Sequence, residues 1–441
     1  MPTRHIAQFN PFRGTQSGAV LFVMLVILVI GAAALLVSAL NSSSVKNARD
    51  KVTADALAKA KEALIGRAVA DGNSPGSLPC PDTNNDGSAD LFSGTNCPNY
   101  IGRLPWKTLG LSDDLRDGSG ERLWYALSPN FRDYTSVNPI NSNSQGNLTV
   151  SGTTTASHVI AIVFAPGAVV NVQSRSVTNT INCTTSGTSV AESLCATNYL
   201  EGSNAYPNTA TSPNLSYQTA AASSTFNDQL LPIMASDLMP LVEARVAKKL
   251  TNLFALWLPN HSNLYPYPAK FNACTSSSCP SDTTTPSCTG KIPATDMMAA
   301  LPGVFPTWFI PNNWFDVIYY SASTNVLPGG GGVGGTGNKG KGKGGRGIGG
   351  LSGVGGGGGG GGGTAGTGFG CYTSLSVSGI SANALLLMPG TPLGTQSRTG
   401  SLSATPTNNL PQYFEDSENT NLDNIYVIPS TTSNDTLYTM P

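Results

Sequence analysis

Between two cysteines the chain reads Asp82-Thr83-Asn84-Asn85-Asp86-Gly87-Ser88-Ala89-Asp90, which puts oxygen donors at the first, third, fifth and ninth positions of an EF-hand-like loop, with Gly at the sixth. Asp82, Asn84, Asp86 and Asp90 could therefore hold calcium. The twelfth position is Ser93 rather than a bidentate Glu, so binding would be weak or need a ligand from elsewhere. The same residue types build Asx-turns, and a polar turn inside a Cys80 to Cys97 loop is the competing reading. The sequence requires no cofactor.

The eight cysteines group as Cys80/Cys97, Cys183/Cys195, Cys274/Cys279/Cys288 and Cys371. Local loops of this kind suit disulfides in an oxidising compartment, with Cys80 paired to Cys97 and Cys183 to Cys195. The remaining four leave three connectivities open. His5, His158 and His261 are the only histidines, none beside a cysteine, so a zinc site lacks ligands. A phosphate-loop start at Gly335–Lys341 is followed by Gly342 instead of Ser or Thr, inside a glycine tract and without a preceding strand. With no nucleophile elbow, paired metal histidines or dinucleotide fingerprint in context, no enzyme is expected. The 24 basic and 25 acidic side chains nearly cancel, which argues against nucleic acid as a partner.

The elements that would position these residues begin with 19–40, AVLFVMLVILVIGAAALLVSAL, 22 residues without a charge. At about 1.5 Å per residue that length predicts a transmembrane helix, its Arg4/Arg13 flank cytoplasmic. A secretory signal peptide would be shorter and cut after the apolar run; here the candidate processing site, Gly18-Ala19, precedes it. Val45, Ala48, Val52, Ala56, Ala60 and Leu64 then recur at helical spacing opposite Lys46, Arg49, Lys51, Asp55, Lys59 and Glu62. The helix is expected to run amphipathically to about 66–72, before Pro75-Gly76.

A short basic leader ending in Gly, followed by "AVLFVMLVILV", resembles the prepilin N-terminus of type IV pilins and secretion pseudopilins, and its Gly-Ala-Val-Leu start resembles certain minor pilins. The resemblance implies removal of a leader, 1–18, by a prepilin peptidase, and a helix that serves as anchor and then as filament core. Major pilins carry Glu at the fifth mature position; Val23 stands there in this chain.

The rest of the sequence repeats itself in order. "SLPCPD" parallels "LYPYPAKF"; "GRLPW" and "LWYALS" parallel "VFPTWF" and "VIYYSAS"; "LTVSG" matches "LSVSG"; "AIVFAPGAVVNVQSR" matches "ALLLMPGTPLGTQSR". "YLEGSN" also pairs with "YFEDSEN", and "STFNDQLLP" with "TTSNDTLYTMP". A second helical stripe, Val242, Val246, Leu250, Leu253 and Trp257, follows a cap at Ser236 or Asp237 with Pro240 in its first turn. Two heads are read from this, 41–235 and 236–441. Val159 to Phe164 and Ala384 to Met388 should be equivalent buried strands, and Trp106, Trp124, Tyr125, Trp308, Trp314, Tyr319 and Tyr320 core residues. Residues 329–370, with nine consecutive Gly and the basic island Lys339, Lys341, Lys343 and Arg346, read as a disordered insertion in the second head.

The fold class expected is α+β: a long N-terminal transmembrane and amphipathic helix packed on an antiparallel sheet, with a second, similar helix-plus-sheet head. The function expected is that of a structural minor pilin or pseudopilin at a tip or initiation complex. Its partners would be other such subunits, prepilin peptidase, an inner-membrane assembly platform and the bilayer, with the head periplasmic or extracellular. The alternatives are a membrane-anchored adhesin or ligand-binding protein, calcium-stabilised or not, and a tethered exported enzyme.

Overall fold

A computed structural model of the chain describes residues 17–134, 139–183, 189–205, 213–275, 277–284, 286–329, 371–394, 396–398, 410–421, 423–428, 430 and 433–440, with the side chains of 17–20 and 33–43 left aside. The expected leader, except Ser17 and Gly18, and the insertion, except Gly329, lie outside these residues.

Helix α1, Ser17–Ala70, takes up the N-terminal sequence. Only its last turns reach the head: Thr53, Ala56, Leu57, Ala60, Leu64 and Ala68 are buried, while Leu21 to Ile30 stand exposed. Asp71 stops the helix as an Asx-turn, its Oδ1 accepting from the amides of Asn73 (2.8 Å) and Ser74 (2.7 Å). Strands β1 (Ile101–Arg103), β2 (Trp124–Leu127), β3 (Leu148–Gly152) and β4 (Ala156–Ala165) follow. The short β5 (Thr180–Ile181) and β6 (Val190–Ala191) pair with each other; β7 (Ser216–Thr219) and β8 (Gln229–Met234) complete the first sheet.

Helix α2, Ala235–Trp257, opens the second half. It begins earlier than a cap at Ser236 or Asp237 would place it; Asp237 acts from inside the first turn, its Oδ2 accepting from the Met234 amide at 2.7 Å. Then come β9 (Thr289–Gly290), α3 (Ala294–Ala300), β10 (Tyr319–Ala322), β11 (Leu375–Val377), β12 (Ile380–Ala382), β13 (Ala384–Met388), β14 (Ile425–Tyr426) and β15 (Thr436–Met440).

Strand pairings repeat between the halves. β1-β2-β4-β8 corresponds to β9-β10-β13-β15, and the parallel pair β3-β7 to β11-β14. Register repeats too: Trp124 faces Phe164 and Tyr125 faces Val163, as Tyr319 faces Leu387 and Tyr320 faces Leu386. The Tyr125 hydroxyl donates to the Pro79 carbonyl at 3.2 Å, and that of Tyr320 to Pro266 at 3.0 Å. Gly102 and Gly290 are both needed because a Cβ at either would run into a carbonyl, that of Asp82 or of Ala269. The main difference is at β4, which is continuous in the first half and split into β12 and β13 in the second.

Two expectations are corrected here. The fold is not a long helix laid on an antiparallel sheet: α1 reaches the head only by its end, and two of the several sheets contain parallel pairs. One hydrophobic core runs from Ala56 and Leu64 of α1 through Val246 of α2 to Tyr320 and Leu386 of the second half, so the two halves share their interior. Among the described residues no helix is long and apolar enough to cross a membrane. The transmembrane helix over 19–40, and the single-pass inner-membrane position built on it, are withdrawn.

Four disulfides staple the chain: Cys80–Cys97, Cys183–Cys195, Cys274–Cys279 and Cys288–Cys371. The last closes 83 residues, and Cys274–Cys279 only 5. In the chain-entropy treatment, removing Cys288–Cys371 by a double Ser substitution is expected to cost about 4.5 kcal/mol, and removing Cys274–Cys279 about 2. Urea midpoints of the two variants check this; equal losses would contradict it.

Candidate functional site

Three places carry unusual chemistry. The first is the arm of α1, on which ten consecutive apolar residues, Leu21 to Ile30, are 37–73% exposed. A helix apolar on every side is a buried helix in its working state. Gly18 and Ala19, the expected processing site, lie on the backbone of its first turn.

The second is the Asp82 loop. Asp82 Oδ1 accepts from the Asn85 amide (2.6 Å) and Oδ2 from that of Gly87 (2.7 Å). Asn84 Oδ1 accepts from Asp86, and Asp86 Oδ1 from Ser88. Asp90 is turned onto Thr83, its Oδ2 accepting from the hydroxyl at 2.5 Å. Each expected calcium ligand thus accepts from donors of its own loop, and among the described residues no group of three or more His, Cys, Asp or Glu is placed to hold a metal ion. Burial raises the Asp82 and Asp90 carboxyls above their usual range. In the second half, Ala269 occupies the place of Asp82.

The third place was legible only as repeated letters. In the first half Arg175 donates from Nη1 to the Gly167 carbonyl (2.9 Å), from Nη2 to Gln173 Oε1 (3.0 Å) and from Nε to the Asn198 carbonyl (3.2 Å). Gln173 Nε2 donates to Glu201 Oε1 at 2.6 Å, and Glu201 Oε2 accepts from the amides of Asn227 and Asp228. The Glu201 amide donates to Asp228 Oδ2 at 2.8 Å. The second half rebuilds the same clamp. Arg398 donates to Gly390 (2.5 Å), Gln396 (2.8 Å) and Gln412 (2.9 Å), Gln396 donates to Glu415 (2.8 Å), and the Glu415 amide donates to Asp435 (2.9 Å). The guanidiniums lie over Tyr199 and Tyr413. The signal was the recurrence of Gln-Ser-Arg, Tyr-x-Glu and Asn-Asp in both halves, which sequence reasoning used for alignment and not for chemistry.

Each clamp holds a carboxyl pair. Burial, then the charge of the neighbouring Glu, pushes Asp228 and Asp435 well above the usual carboxyl range. On α2, burial pushes Glu243 up to about 8, against the pull of Ser142 and Arg398, with Asp435 adding to the rise. A carboxyl raised on folding stabilises most below its unfolded value, 4.5 for Glu243, and that contribution is lost as pH rises through the folded value. Asp71 runs the other way: burial raises it, but bonds from Arg67 and two amides outweigh this and hold it low, so its contribution is lost only in acid. The expected outcome is a higher melting temperature at pH 5 than at pH 8.5, with the difference reduced in Glu243→Gln. A melting temperature that rises over this window would contradict the assignment.

Arg103 lies buried over Trp124 (4.3 Å) and Tyr199 (4.0 Å), and burial lowers it to about 10. Its counterpart Lys291 is also buried and pairs with Asp316 at 2.8 Å. These cations tie sheet to overlying loops, and with the clamps they give the head a built polar frame. No protein-family profile, curated protein or solved structure matches the chain.

Proposed function

We propose that the chain is a structural minor subunit of a pilin-type assembly, of the type IV pilus or type II secretion kind, working at its end or in its initiation complex. The observation that carries this reading is the exposed apolar arm of α1 on a disulfide-stapled double head. Ten exposed apolar residues at about 25 cal/mol per Å² are a strong drive toward burial. Helices of neighbouring subunits would bury the arm without leaving a backbone group unpaired. Val23, half-exposed on the arm, offers no carboxylate to a neighbouring amine, which suits a subunit at an end better than one in every layer. The head supplies shape and stability, and its Arg175 and Arg398 clamps are engaged in holding loops, which favours a structural role over catalysis.

Prepilin peptidase would cut between Gly18 and Ala19. The test is N-terminal sequencing of the chain recovered from its assembly, together with gold labelling. A start at Ala19 and sparse or one-ended label are expected. Retention of Met1 in cells with active peptidase, or dense uniform label, would overturn the reading.

A further inference from the structure

Beside α1 runs an open groove of about 570 Å³, walled by Lys46, Arg49 and Thr53 of the helix, by Gly118, and by Ala168 and Ala222 of the loops at the end of the first sheet. Its floor includes Ala165, Gly167, Asn227 and Gln229. Through the repeated register these floor positions correspond to Met388, Gly390, Asn434 and Thr436 of the second half. There the corresponding region is filled. The loop 139–144 of the first half lies against it: the Ile140 amide donates to Asn312 Oδ1 (2.9 Å), and Asn141 Nδ2 donates to the Asn312 carbonyl (2.8 Å). Arg398, whose Nη1 holds the Gly390 carbonyl, also reaches Asn143 Oδ1 at 3.3 Å. Ile140 packs by Met239 and Val242 of α2, and Ser142 sits at Glu243. Ile140 and Ser142 are wholly buried.

The geometry points to the first-half groove as the docking site for a loop of that same chemistry, uncharged, Asn- and Ser-bearing, with one β-branched apolar residue, presented by a partner subunit. A second copy of this chain cannot supply it, because its own loop 139–144 is spent inside the molecule. The second half therefore shows what covers this kind of surface, and the first half keeps its version uncovered. Gly118 fits this use, since a Cβ there would strike the Arg49 backbone and open the groove's wall. The naming of a partner subunit rests on the proposed assembly; the docking chemistry does not.

The probe is a fluorescent cyclic peptide carrying Pro-Ile-Asn-Ser-Asn-Ser-Gln-Gly, the sequence of 139–146, titrated onto the full chain, with a photoreactive version for mapping. Saturable binding with a Kd below roughly 1 mM is expected, with adducts on 45–53, 117–119 or 222–229. Ala168→Trp and Ala222→Trp, both at exposed positions, should each weaken it at least about tenfold, equivalent to 1.4 kcal/mol. Absence of saturation, indifference to both substitutions, or adducts elsewhere would overturn the proposal. Binding by a chain that never enters an assembly would remove the proposed function and leave the groove; assembly without peptide binding would remove the groove alone.

Discussion

Val26→Asp in the arm of α1 is expected to reduce entry of the protein into its assembly by at least about a hundredfold while leaving the head folded. The position is on the exposed apolar arm, far from every disulfide and from the buried turns Thr53 to Ala68. If helices of neighbours cover the arm, an unpaired carboxylate there costs several kcal/mol. If nothing covers it, the carboxylate sits in water and costs almost nothing. Ser44→Asp, at an exposed position on the same helix beyond the ten-residue run, is the control and should enter normally. Copies recovered per assembly, with circular dichroism of the isolated chain as the folding check, decide the matter.

Arg398→Ala is expected to destabilise the head by about 3–5 kcal/mol, and Arg175→Ala by a similar amount, because each leaves buried partners without their donor. Arg398 is 1% exposed and serves the carbonyls of Gly390, Gln412 and Tyr413 besides Gln396 and Asn143. Arg398→Lys should restore little, since an ammonium cannot reproduce the planar fork. Arg116→Ala breaks an exposed pair with Asp114 and should cost less than about 1 kcal/mol. Urea denaturation separates these cases; a loss at Arg398 no larger than at Arg116 would show that the clamp does not hold the fold.

The repeat was legible because it is written in apolar strand segments whose order and spacing survive in both halves. "AIVFAPG" and "ALLLMPG" even carry the same register against β2 and β10. The parallel pairing of β3 with β7 was not legible, since period-two alternation says which face is buried and nothing about the neighbour's direction. Nor was the splitting of β4 at Asn383, or the docking of Ile140 and Asn141 on Asn312, which joins segments 171 and 172 residues apart. The Asp82 loop shows why an oxygen-rich spacing is ambiguous. The oxygens that could ligate calcium are also the ones that close Asx-turns, so the spacing alone fits both tasks. In the N-terminal stretch composition gave length and apolarity, from which a membrane span was inferred; what the fold adds is an exposed apolar arm, whose covering by neighbours is the proposal.

Oxidation of Met24 tests that covering most directly. Met24 lies on the arm at 66% exposure, and Met298, on the head at 39%, serves as reference. Brief peroxide treatment of the purified assembly and of the isolated chain, followed by peptide mass analysis, reports both thioethers at once. The account predicts that Met24 is protected at least about tenfold in the assembly relative to the isolated chain, while Met298 is oxidised at the same rate in both. Equal oxidation of Met24 in the two states would mean that no neighbour covers the arm, and would contradict the account.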